Sequence, residues 1–221
     1  MKNIVLAILV AAAFGEIGNA QNLNWRSLRE DQPSAIQFCV GYDFGAIAQV
    51  GYSRSVTLIR PVVLGMEYSF PMGSDLTDDF KVRLGAQIEI VEIDGFAATM
   101  KIFGLFRRYQ GELATIQSFG SDLGVLAGYY TPAWFVAGEF GFDKSITSHI
   151  SHSDAMRAVF PSIRDGWYIP SGGHYYYGIQ AGKSIGESFD LSLRLGATNA
   201  QDNDEDAVLP YYFQLGLGMS F

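Results

Sequence analysis

The chain has one cysteine, Cys39, few basic residues and, after its first twenty positions, no long apolar run. Each scarcity excludes something. A lone thiol closes no intrachain disulfide, and with no metal or nucleophile pattern around it Cys39 reads as a small residue inside a strand. Fifteen Lys and Arg stand against 23 Asp and Glu, for a formal charge of −8 and a pI near 4.8. Binding a phosphate backbone needs a basic face, so no nucleic-acid partner is expected. Nor is a transmembrane helix, which needs about 18 or more consecutive apolar residues. What the chain does have is 48% apolar residues, 25 glycines and 14% aromatics, spread over alternating positions. Apolar side chains on every second residue suit a barrel that faces lipid outward and keeps polar groups within.

The chain divides into three parts. Residues 1–20 read as a secretory signal peptide, with basic Lys2, an apolar stretch over 4–14 and Gly18-Asn19-Ala20 before the cut. An N-terminal anchor is the rival, but the stretch is short for a span, and Gln21 stands where a lipoprotein would need cysteine. Residues 21–34 form a polar periplasmic segment with a helical turn capped by Asn24 and ended before Pro33. It is either a loose tail or a plug that inserts Trp25 and Leu28 into the barrel mouth. Residues 35–221 form the barrel.

Its last strand is the clearest. Tyr211, Phe213, Leu215, Leu217, Met219 and Phe221 fall on one face, and Tyr212, Gln214, Gly216, Gly218 and Ser220 on the other. This stretch, ending in phenylalanine, resembles the C-terminal strand of Gram-negative outer-membrane β-barrel proteins. The resemblance implies an outer-membrane location, surrounding lipid as a partner, and a terminal signal read by the barrel insertion machinery.

Alternation gives ten strand candidates, near 35–43, 46–56, 62–70, 80–93, 96–107, 122–130, 134–143, 174–185, 189–199 and 211–221. The sixth has the alternative of starting nearer Leu113. The fold class is therefore all-β, an antiparallel up-and-down transmembrane barrel of ten strands, or eight if the first hairpin is irregular. Short turns at Asp94-Gly95, Thr131-Pro132 and 186–188 alternate with long connections at 71–79, 144–173 and 200–209, as expected with both termini periplasmic. Only the first hairpin, at Phe44-Gly45, breaks that rule. A soluble lipocalin-like barrel is the structural rival, but its apolar face would point into a cavity.

Facing away from the apolar sides are Glu67, Lys81, Arg83, Gln87, Glu89, Lys101, Glu139, Lys183, Arg194 and Gln214. They form a lumen polar network, with Glu67 opposite Arg83 and Arg194 near Gln214. It either packs the interior or lines a narrow path for a small polar solute. Aromatics at strand ends, including Tyr175, Tyr176 and Tyr177, read as an interfacial girdle, with a ligand-stacking platform as the alternative.

In the outer loop 144–173, a possible surface for a partner, His149 and Ser151 offer a base and a nucleophile. Lipid A deacylases and omptin proteases use such residues near the outer rim, but the spacing is common and a loop holds geometry poorly. Ser153 is set to cap a short helix ending before Pro161. The acidic run at 202–206 is a solvated loop or a weak divalent-cation site, lacking the glycine and distal glutamate of a calcium loop. The leading functional expectation is a structural or surface-interaction barrel without enzymatic activity, cofactor or metal. The alternatives are a narrow channel and a rim enzyme.

Overall fold

The computed structural model describes residues 24, 28, 31–73, 75–170, 172–201 and 209–221. The signal peptide, Trp25 and the acidic run at 202–206 lie outside the described residues.

Ten long strands close into one antiparallel barrel: β1 (Ser34–Tyr42), β2 (Ala46–Thr57), β3 (Pro61–Pro71), β4 (Asp79–Ile93), β5 (Phe96–Gln110), β6 (Ala114–Tyr130), β7 (Trp134–His152), β9 (His174–Ile185), β10 (Phe189–Ala200) and β11 (Tyr211–Ser220). A short helix, α1 (Asp154–Val159), and a three-residue strand, β8 (Gly166–Tyr168), lie between β7 and β9. Sequential neighbours pair as hairpins, and β11 returns to β1 with Phe38 opposite Leu217 and Tyr42 opposite Phe213. Closure leaves the ten strands without an unpaired edge, which matters where no water is available to satisfy backbone amides.

Two turns show how residues set the geometry. Asp94 and Gly95 both take positive φ, 49° and 87°, which matches the strand twist of a two-residue hairpin. At the β6–β7 turn the Thr131 hydroxyl accepts from the amides of Ala133 and Trp134, fixing the reversal around Pro132. Farther along, β8 and β9 both pair with β7 and would be one strand but for Pro170, which lacks an amide, and Gly172, whose φ is 72°.

Alternation is complete on β11: the outward residues from Tyr211 to Phe221 are 43–73% exposed, while Tyr212, Gln214 and Ser220 are at most 6% exposed. The same parity holds on β4, with Leu84 and Ile90 outward and Lys81, Arg83, Gln87 and Glu89 buried. Aromatic rings gird the outside. Tyr68, Phe80, Phe106, Phe119 and Trp167 form a chain of neighbouring rings across β3 to β8, with centroids 4.9–6.1 Å apart. Tyr129 and Trp134 meet at 5.6 Å near the opposite end.

At the end of the barrel where β1 begins and β11 finishes, apolar side chains also point inward. Ala35, Val63 and Phe103 form one buried cluster, against which Leu28 packs; Ala97, Tyr130, Phe135 and Ala137 form another. Asn24 is buried, and its Nδ2 donates to the Thr131 carbonyl at 2.9 Å. Of the 21–34 segment, then, Asn24 and Leu28 are seated against the barrel rather than loose.

The structure corrects two boundaries. β7 runs to His152, nineteen residues, and does not end at Asp143, so much of the expected 144–173 loop is strand. Of the two starts offered for the sixth strand, the one near Leu113 holds: the β5–β6 connection is a tight turn at 111–113, closed by the Gly111 amide on the Ala114 carbonyl, and so joins the first hairpin as an exception to long outer connections. Both misreadings have one cause. Beyond the apolar belt neither strand face meets hydrocarbon, so the stretch after Asp143 continues as sheet without apolar alternation. The rim distal to the termini is therefore slanted, tall at β5–β7 and low at β9–β11.

Depth in the belt predicts an unequal response to charge. Leu215→Arg, in the middle of β11, is expected to lower stability in lipid vesicles by about 2–4 kcal/mol, and Tyr211→Arg at its edge by about 0–1 kcal/mol. Denaturant titration of vesicle-inserted protein checks this, and equal effects at both positions would contradict the assigned depth.

Candidate functional site

The interior is crossed by one hydrogen-bonded and ion-paired network to which nine of the ten barrel strands and the turn after β1 contribute. Glu139 on β7 is its hub. Its carboxylate accepts from Arg194 Nε at 2.6 Å, Tyr212 Oη at 2.7 Å and Gln180 Nε2 at 2.8 Å, and lies 3.6 Å from Lys101 Nζ. A second centre surrounds Arg83, which donates to Glu67 at 3.2 Å and Asp43 at 3.5 Å and approaches Asp122 at 3.8 Å. Gln49 links the two sides, donating to Glu67 at 3.2 Å and accepting from Gln214 at 3.2 Å. Lys81 bridges Asp43 at 3.2 Å and Asp143 at 3.5 Å.

These groups are out of water: Glu67 and Lys101 are 0% exposed. An isolated charge there would be very costly, so each needs partners. Register supplies some of them, since Glu67 pairs directly across from Arg83 and Arg194 from Gln214, while Asp122 and Asp143, which face each other, are compensated by Arg83 and Lys81 from β4. Two tyrosines lie among the cations. The Arg194 guanidinium sits 4.6 Å from the Tyr212 ring centre and 5.4 Å from that of Tyr176, while Lys101 Nζ is 5.0 Å from Tyr176. Glycines make room for both rings: a Cβ on Gly141 would strike Tyr176, and one on Gly196 would strike the Tyr212 hydroxyl.

The ten residues picked out in the sequence separate into three groups. Glu67, Lys81, Arg83, Lys101, Glu139, Arg194 and Gln214 meet in the network. Gln87 and Glu89 also point inward but lie nearer the terminal end, with Gln87 donating to Thr99 at 2.9 Å and Glu89 3.9 Å from Arg60. Lys183 does not belong. The inward residues of β9 are even-numbered, Tyr176 and Gln180, so Lys183 projects outward with Ile179 and Ile185, opposite Trp134. There its stem can lie along apolar surface while the ammonium reaches the interface.

The same parity divides the tyrosine run: Tyr175 and Tyr177 stand on the outer face, whereas Tyr176 is buried and donates to Asp122. Sequence reading missed Tyr176 and Tyr212, and also Asp43, Asp122 and Asp143. Asp122 and Asp143 were legible from parity on β6 and β7, but Asp43 sits in a turn where parity carries no information.

Above the network, toward the distal rim, lies a cavity of about 330 Å³. Its lining includes Lys81, Arg83, Arg107, Arg194, Asp43 and Asp143, with Ser118, Ser145 and Thr198 among the hydroxyls. Arg107 is held by both oxygens of Asp79, at 3.1 and 3.2 Å, and lies 4.4 Å over the Phe44 ring.

At the rim, His149 and Ser151 both lie on β7, with Ser151 Oγ 3.4 Å from His149 Nδ1. The carboxylate of Asp165, however, engages the neighbouring His152 at 2.9 Å, so serine, histidine and acid do not line up as a relay. Hydrogen bonds from the His152 backbone amide and ring nitrogen, and after them the pairing with Arg157, hold the Asp165 carboxyl down to about 2. Ser153 caps α1 through the Met156 amide, as its sequence implied. Among the described residues no group of three or more His, Cys, Asp or Glu is placed to hold a metal ion.

If Glu139 is the hub, its removal strands two buried cations. Glu139→Ala is expected to destabilise the barrel by about 3–5 kcal/mol, whereas Tyr212→Phe costs about 1 kcal/mol for its one hydrogen bond. Denaturant titration of the folded barrel measures both, and a mild effect of Glu139→Ala would contradict the assignment.

No family model and no curated protein matches this sequence. Solved structures do. The outer membrane protease OmpT from Escherichia coli superposes with a TM-score of 0.50 at 10% identity, over 85% of this chain and 93% of that one. A KdgM porin in complex with disordered oligogalacturonate gives 0.41 at 8% identity, over 85% and 99%. The β domain of the Bordetella autotransporter BrkA gives 0.38 at 14% identity, over 86% and 99%. The OmpT likeness is one of fold: a closed antiparallel barrel of the outer-membrane type.

Proposed function

We propose that the protein is an outer-membrane barrel sealed to solutes, which acts at the cell surface by binding through its distal rim. One observation carries this reading: the lumen is blocked by its own side chains. Lys101, Glu67, Gln49, Gln180 and Gln214 are buried within it, and Phe103, Tyr130 and Phe135 fill it toward the terminal end. A channel needs a continuous wet path, and ion pairs packed across the bore together with apolar side chains beneath them oppose one. The tall wall of β5–β7, capped by α1 and β8, supplies the projecting surface, with Val159, Phe160 and Ile169 exposed on it. Contiguous exposed apolar side chains outside the belt mark interaction surfaces.

Against a rim enzyme, the acid at this rim serves His152 while Ser151 neighbours His149. Insertion into the membrane proceeds through the alternating terminal strand, Tyr211 to Phe221, after removal of the leader at residues 1–20.

Purified barrel reconstituted in planar bilayers is expected to show no discrete conductance steps. Regular steps that survive repurification would reject the sealed reading in favour of a narrow channel.

A further inference from the structure

We propose that the distal cavity is a binding site for a small oxyanion, a carboxylate- or phosphate-bearing solute no larger than a phosphorylated monosaccharide, with Arg194 as its floor. The site deepens the surface-binding reading above and rests on it, because a sealed bore makes the cavity a cup and not a passage.

The first argument is the state of Arg194. It is 4% exposed, lines the cavity, and donates through Nε to Glu139. Its terminal amino groups engage no acceptor among the described residues, and they are not among the buried nitrogens cut off from solvent. They are therefore donors open to the cavity, on a guanidinium fixed by one ion pair and by the Tyr212 and Tyr176 rings. A planar, pre-oriented pair of N–H groups matches the two oxygens of a carboxylate or phosphate.

The second argument is where the charges stand. Four cations line the cavity, Lys81, Arg83, Arg107 and Arg194, against two carboxylates, Asp43 and Asp143. Asp43 and Asp143 in the lining pair with Lys81 and Arg83, but the closest acids to Arg194 and Arg107, Glu139 and Asp79, and the second acid on Arg83, Glu67, are not part of the lining. The network as a whole is close to neutral, but the surface a solute meets is cationic, in a chain whose formal charge is −8. Ser118, Ser145 and Thr198 add hydroxyls suited to the remaining polar groups of such a solute. A volume of about 330 Å³ is at the small end of ligand cavities.

Isothermal titration calorimetry of the full mature barrel in non-ionic detergent tests this, with glucose 6-phosphate and citrate as probes and glucose as the neutral control. Saturable binding of one or both anions, weakened by added salt and absent for glucose, is expected. Arg194→Lys keeps a charge beside Glu139 but loses the fork, and should weaken binding about tenfold in protein that still folds. Arg107→Gln, at the half-exposed cavity wall, should weaken it as well, and decides the matter if Arg194→Lys does not fold. No saturable binding of either anion by folded protein overturns the proposal, as does equal binding of glucose or full affinity in both variants. Conductance reads the seal separately, so a leaky barrel and an empty cup are distinguishable failures.

Discussion

The carboxylate of Glu139 is the point on which the interior depends. Arg194, Tyr212, Gln180 and Lys101 converge on it from four other strands, so one buried acid fixes the relative positions of β5, β7, β9, β10 and β11 across the bore. In a barrel with apolar residues committed to the outside, the inside must be filled by whatever lies on the other parity. Here that set is ionic, and only mutual pairing makes its burial tolerable. The glycines at 141 and 196 are part of the same solution, because the tyrosines that flank the hub occupy the volume their side chains would have taken.

The exterior obeys a simpler demand. Hydrocarbon selects apolar side chains on every second residue, and the aromatic chain from Tyr68 to Trp167 marks where that demand ends. Past that line β7 continues for several residues with Ser, Thr and His on both faces, which makes the wall at β5–β7 taller than its opposite side. Network, cup and wall thus follow one another along the axis: charges closed off in the middle, a cationic cavity above them, and a partly apolar projection above that.

The parts legible in the sequence were those under two-sided pressure. The alternation of β11 and β4 gave barrel and direction, and counting along the hairpins put Glu67 opposite Arg83 and Arg194 near Gln214, which the register makes a direct pair. Parity failed where pressure was one-sided or absent. The outer half of β7 has no apolar stripe, so it read as loop. Lys183 was assigned by chemistry, as a charge belonging inside, when its odd number on β9 put it outside with Ile179. Inward Phe103 and Phe135 were hidden for the converse reason, being apolar residues on the polar face. Asp43 became part of the network only through the three-dimensional meeting of a turn with β4.

The central claim is that lipid lies outside the barrel and packed side chains, not water, lie inside. Spin labels placed singly along 211–220 in a Cys39→Ala background, in vesicles, test it most directly through collisions with oxygen and with a water-soluble nickel chelate. The account predicts that the odd-numbered positions in the middle of the strand collide with oxygen and that their even-numbered neighbours are shielded from both reagents. Nickel access at the even-numbered positions, or no two-residue period at all, would contradict it.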